Sequence, residues 1–142
     1  MIEQGGEIMW NVSFNYLAIL VAAVVPMLLG AGWYSEALFA HHWMKALGKK
    51  KGELTQAGSN YFVTFIGFVI MAYVLSFLIH LQSIHSPLEG SALAVLVWLG
   101  FTAAPSMINY LFAGRTRTLY LVDMGYHLLS LAVMGAILAA WW

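Results

Sequence analysis

The sequence predicts an all-α integral membrane protein: a four-helix bundle with a short cytoplasmic interfacial helix between spans 1 and 2. Three observations predict it. Of 142 residues, 62% are hydrophobic and 8% charged, far outside the range of a soluble domain. The charges are bunched, so that stretches 8–35, 54–88 and 90–114 carry none and stretch 118–142 carries Asp123 alone. Each stretch exceeds the roughly 20 helical residues that cross a ~30 Å hydrocarbon core, and none alternates apolar and polar residues as barrel strands would. At this length one transmembrane domain, 1–142, is expected.

In chain order, "MIEQGGEIMW" holds two glutamates and no Lys or Arg. It lacks the basic region of a cleaved signal peptide, so the first span, 14–35, is expected to be retained. The following loop contains "EALFAHHWMKALG", where Phe39, Trp43 and Leu47 recur at four-residue spacing with Ala40 and Met44 beside them. Gly48 supplies a helix stop, and the pattern predicts a short helix along the membrane surface. The lysines after it suit anionic lipid headgroups, at about 1 kcal/mol each near the surface; an ordinary solvated loop explains them equally. Spans 59–82, 89–113 and 119–141 complete the bundle.

All six basic residues, Lys45, Lys49, Lys50, Lys51, Arg115 and Arg117, fall in the first and third loops, which four spans place on one side. The positive-inside rule makes that side cytoplasmic, with both termini outside. Trp10, Trp141 and Trp142 then belong to an outer aromatic belt, and Trp33 and Trp43 to an inner one.

There is no cysteine, which excludes disulfide exchange and thiolate metal sites. Net charge is zero with few basic residues, so the chain is not expected to bind nucleic acid. Membrane lipids are the expected partners. No cofactor is identified. His41, His42 and Glu36 do not make a metal site, because adjacent helical histidines point about 100° apart and miss the i, i+4 ligand geometry. Haem held between His80 and His127 fails on a depth mismatch of ~20 Å.

Polar side chains gather toward the cytoplasmic end. Thr102, Ser106 and Asn109 form one stripe on span 3, and Asp123, His127, Ser130 and Met134 another on span 4. Such stripes normally face a bundle, because hydrocarbon cannot satisfy them. Asp123 and His127 can touch at i, i+4, the arrangement in which a carboxylate orients an imidazole. Against this, Asp123 lies near a helix N-terminus, where the dipole and Arg115 or Arg117 would hold it for structural reasons alone. Gly125, Ala132, Ala136 and Ala139 make a small-residue face opposite the polar stripe. It suits a neighbouring helix of the same bundle or, as the sharper alternative, a second copy in a homo-oligomer, a dimer.

Two stretches, "GAGWYSEALFAHHWMKALG" and "VWLGFTAAPSMINYLFAGRTRTLYLVDMGYHLLSLAVMGAIL", resemble the signature segments of the domain of unknown function 1761 family, small four-helix membrane proteins. The likeness runs from about Phe14 to Ile137. It rests on Trp33, Tyr34, Ser35, Phe39, Trp43, Met44, Gly48, Asn109, Leu111, Phe112, Gly114, Arg115, Gly125, Tyr126, Ser130 and Gly135. The chain departs from the family pattern at Glu36 and Thr116, where prolines are usual, and at Asp123, where asparagine is usual. Asparagine cannot ionise, which counts against a family-wide mechanism that needs charge at 123. The resemblance implies the fold and a bacterial cytoplasmic membrane, and it brings no activity.

Three functional readings follow. The first is a protein that binds a small molecule or ion in a cytoplasm-facing pocket lined by Tyr34, Glu36, Asn109, Asp123, Tyr126 and His127, in a role related to transport. The second is a non-catalytic structural or assembly subunit whose polar residues only hold helices together. The third, an intramembrane enzyme, has the least support, since no recognised nucleophile or metal motif is present.

Overall fold

A computed structural model describes residues 12–53 and 58–141. The expectations for the N-terminal segment, Trp10 and Trp142 lie outside these residues. Helix α1, Tyr16–Trp33, starts where the Asn15 side chain accepts the Ala18 N–H at 3.1 Å, an N-cap that satisfies one free amide of the first turn. Helix α2, Ala40–Leu47, stops at Gly48, whose φ of 69° suits a residue without Cβ; the Gly48 and Lys49 amides bond back to the Lys45 and Met44 carbonyls. The short helix expected between spans 1 and 2 is therefore present. A 3-10 turn, Lys51–Glu53, precedes α3, Gly58–Leu81.

The third span runs through α4, Pro87–Trp98, a π-turn, Leu99–Ala103, and α5, Ala104–Phe112. Helix α6, Arg117–Ala140, is capped by Thr116, whose hydroxyl accepts the Leu119 N–H at 3.3 Å. Among the described residues, four helical stretches are long and apolar enough to cross a membrane: Tyr16–Trp33, Asn60–Leu81, Pro87–Phe112 and Arg117–Ala140. They agree with the expected spans to within about two residues.

The π-turn is a departure from the single regular helix expected over 89–113. Pro105 explains it: proline has no N–H to donate and its ring crowds the carbonyl of Phe101, and one wide turn absorbs both. The Tyr120 hydroxyl then donates to the Ala103 carbonyl at 2.9 Å, tying the turn to α6. The wide turn also breaks the stripe expected along Thr102, Ser106 and Asn109. Thr102 and Ser106 are half-buried and Asn109 is exposed.

Helix α6 is the centre of the bundle, packing against α1, α2, α3, α4 and α5. Its Leu131, Met134 and Leu138 interlock with Ile19 and Ala22 of α1 and with Phe68, Leu75 and Ile79 of α3. The closest approach is to α4. A Cβ built on Gly90 would collide with the Gly135 carbonyl, and one on Gly135 with the Gly90 carbonyl; Ala94 and Ala139 complete the contact, and both are buried. The Ser91 hydroxyl adds a 2.8 Å bond to the Ala132 carbonyl. The small-residue face of span 4 thus packs inside the bundle at Ala132 and Ala139, and Gly125 makes room for the Trp33 indole. Ala136 of the same face is half-buried.

The Gly90–Gly135 contact is testable. Gly135→Val should cost about 1–3 kcal/mol in unfolding titrations, as overpacking does. Gly67→Ala, where nothing lies within 4 Å of the added Cβ, should be neutral or slightly stabilising. Equal losses at both positions would contradict the close contact.

Candidate functional site

The ends of α1 and α5, the start of α6 and all of α2 meet at the end of the bundle that carries Lys45, Lys49, Arg115 and Arg117, here called the basic end. At its centre is the Asp123 carboxylate. The Tyr34 hydroxyl donates to its Oδ1 at 2.8 Å, the Trp43 indole N–H to the same oxygen at 2.9 Å, and the Tyr110 hydroxyl to Oδ2 at 2.6 Å. An indole can only donate, so this shell matches an acceptor-only carboxylate, and bonds to a charged acceptor are stronger than neutral ones.

Two more indoles flank it on the same helix. Trp33 donates to the Val122 carbonyl at 3.0 Å and Trp98 to the Met124 carbonyl at 3.1 Å. Three successive residues of α6 therefore each receive an indole N–H, from the last residue of α1, from α2 and from the last residue of α4. Trp33 and Trp43 point into the bundle with these bonds rather than serving only as an interfacial belt. Arg115 stands over the Tyr110 ring, 5.9 Å from its centroid, so it supports the clamp through a tyrosine and not by pairing with Asp123.

One turn further along α6, Tyr126 packs edge-on against Tyr34, and its hydroxyl donates to the Pro26 carbonyl at 2.7 Å. Gly30 permits this: a Cβ there would lie 3.1 Å from the Tyr126 hydroxyl. His127 is not oriented by Asp123. Both carboxylate oxygens are engaged by other donors, and His127 Nδ1 is buried with no hydrogen-bond partner. The expected Asp123–His127 bond is corrected accordingly; three aromatic donors meet the carboxylate first.

A cleft of about 800 Å³ opens beside these residues, lined by Met27, Gly30, Ala31 and Tyr34 of the first span, Trp43 and Lys49, Tyr61, Thr64 and Phe68 of α3, and Tyr126 and His127 of α6. Of the six residues singled out in the sequence, Tyr34, Tyr126 and His127 line it. Asp123 lies behind the Tyr34–Trp43 wall. Glu36 and Asn109 are exposed and do not line it. Tyr110, next to Asn109, is the residue that the third span turns toward Asp123. Lys49, Tyr61 and Thr64 were missed as lining residues, as was Trp43. Among the described residues no group of three His, Asp or Glu side chains could hold a metal ion.

The model of a family described as a protein of unknown function (DUF1761) matches residues 17–139. No curated protein and no solved structure matches the chain.

The clamp makes a graded prediction. Asp123→Ala strands three donors and should cost about 2–3 kcal/mol of stability, at roughly 1 kcal/mol per lost bond. Asp123→Asn keeps an oxygen for Tyr34 and Trp43 and offers its NH₂ to the Tyr110 hydroxyl, so it should cost less than about 1 kcal/mol. Unfolding titrations of the two variants that coincide would contradict the three-donor arrangement.

Proposed function

Since the chain belongs to the DUF1761 family, whose function is unknown, we propose a role from its own residues: it is a membrane protein that binds a small molecule or ion in the cleft at its basic end, in a role related to transport. The observation that carries this reading is His127. The His127 ring lines a cleft of about 800 Å³, and its Nδ1 is buried without a partner among the described residues, so no protein hydrogen bond at that nitrogen commits the imidazole, an unusual state for a buried polar group. The volume falls within the roughly 300–1,000 Å³ of small-molecule sites. Tyr34 and Tyr126 form the wall, and Asp123 holds that wall in place from behind.

The cleft faces the cytoplasm in this reading. Support comes from the six Lys and Arg residues, all in the two loops at the basic end. A scaffolding role draws its support from Asp123, whose engaged oxygens have the character of a brace. One experiment separates the two, and the absence of native cysteine makes it clean. Thr64→Cys, in the cleft, should react in intact cells with a membrane-permeant hydrophilic maleimide and not with an impermeant one. Leu28→Cys, on an outward apolar face, should react with neither. A Thr64→Cys thiol inert to both would mean a dry seam and would favour the scaffold; reaction with the impermeant reagent from outside would reverse the orientation.

A further inference from the structure

The polar groups of the cleft have an uneven chemistry. Several are already engaged: Tyr34 and Trp43 donate to Asp123, Tyr126 to the Pro26 carbonyl, and Thr64 to the Asn60 carbonyl at 2.7 Å. Three lining side chains remain, the Lys49 ammonium, the Tyr61 hydroxyl and the His127 imidazole; the His127 Nδ1 is itself buried, which leaves its Nε2 as the ring nitrogen to donate. None of the described lining residues is acidic, and the nearest carboxylate, Asp123, is shielded by its own donors. The rest of the wall is apolar, with Met27, Ala31 and Phe68 contributed by two membrane-spanning helices.

The aromatic side chains could suggest a cage for a quaternary ammonium instead. The ring geometry argues against it. Tyr34 packs edge-to-face on Trp43 with centroids 5.2 Å apart and on Tyr126 at 5.3 Å, so these rings close on one another and leave no gap between facing surfaces for a cation. Lys49 would also repel one.

We propose that the cleft takes an amphiphile with an anionic, oxygen-rich head, such as a phosphate monoester or carboxylate, whose hydrocarbon part lies along Met27, Ala31 and Phe68. The proposal rests on the cleft being a ligand site. Lys49, Tyr61 and His127 receive the head as donors, and the wall between α1 and α3 covers the tail, which an inorganic anion would leave bare. The same head chemistry belongs to bilayer phospholipids and to free single-chain amphiphiles.

The test is native mass spectrometry of the full chain in a neutral detergent, titrated with dodecyl phosphate, dodecyltrimethylammonium or inorganic phosphate. A saturable one-to-one complex is expected with dodecyl phosphate, about tenfold tighter than with the ammonium, and none with inorganic phosphate. Lys49→Gln and Lys49→Glu, at an exposed position, should weaken the complex by about tenfold or more. Displacement by phosphatidic acid would make the bilayer the source of the ligand, and failure to displace would make it a free single-chain amphiphile; both agree with the proposal. Equal or tighter binding of the ammonium, or indifference to both Lys49 variants, overturns it. Ala31→Trp, which fills the cleft from an exposed position, should abolish all binding. Retained binding in that variant would remove the cleft as a ligand site altogether, which is a different failure from a wrong head charge.

Discussion

A carboxylate on a membrane helix must be supplied with hydrogen-bond donors, because hydrocarbon offers none and an unpaired buried charge is costlier than most single contacts can offset. Asp123 receives three, from residues 89, 80 and 13 positions away in the chain. Meeting that requirement brings the end of α1, the amphipathic α2 and the end of α5 onto the start of α6. The Trp33 and Trp98 indoles add two bonds to the adjacent carbonyls, so the basic end is held by directional contacts. The rest of the bundle is held by close packing, tightest where Gly90 and Gly135 bring α4 and α6 together.

This division of labour bears on function. Tyr34 and Trp43 are held by Asp123 and Tyr126 by the Pro26 carbonyl, so one wall of the cleft is preorganised, and on the proposed reading the groups that would meet a ligand are those the bracing does not use. His127 is one helical turn from Asp123 yet takes no part in the clamp.

The four spans and the helix between the first two were legible because they follow from charge-free lengths and from Gly48, which are local signals. Asp123 and His127 were legible as polar residues in an apolar run, but their partners were not. Which face of α6 meets which helix depends on tertiary packing, and the slip from Asn109 to Tyr110 came from the wide turn before Pro105. The small residues of span 4 read equally well as an internal or an external contact until Gly90 was found opposite Gly135. Lys49 belongs to a lysine run that suggested lipid headgroups, and nothing local placed it beside Tyr61 and His127. Trp33, Trp43 and Trp98 each bring an N–H that needs an acceptor, and Asp123 is the one carboxylate within the fourth span.

Asp123 is engaged at both oxygens by aromatic donors, and His127 lines the cleft beside it without joining them. The most direct measurement is hydrogen exchange of the indole N–H groups, followed by NMR on tryptophan-labelled protein, with Asp123 intact and replaced by alanine. Slow exchange is expected for Trp33, Trp43 and Trp98 in the native chain, with a selective acceleration of Trp43 in Asp123→Ala. A Trp43 indole that exchanges as fast as an exposed one, and is unchanged by the substitution, would contradict this engagement of Asp123.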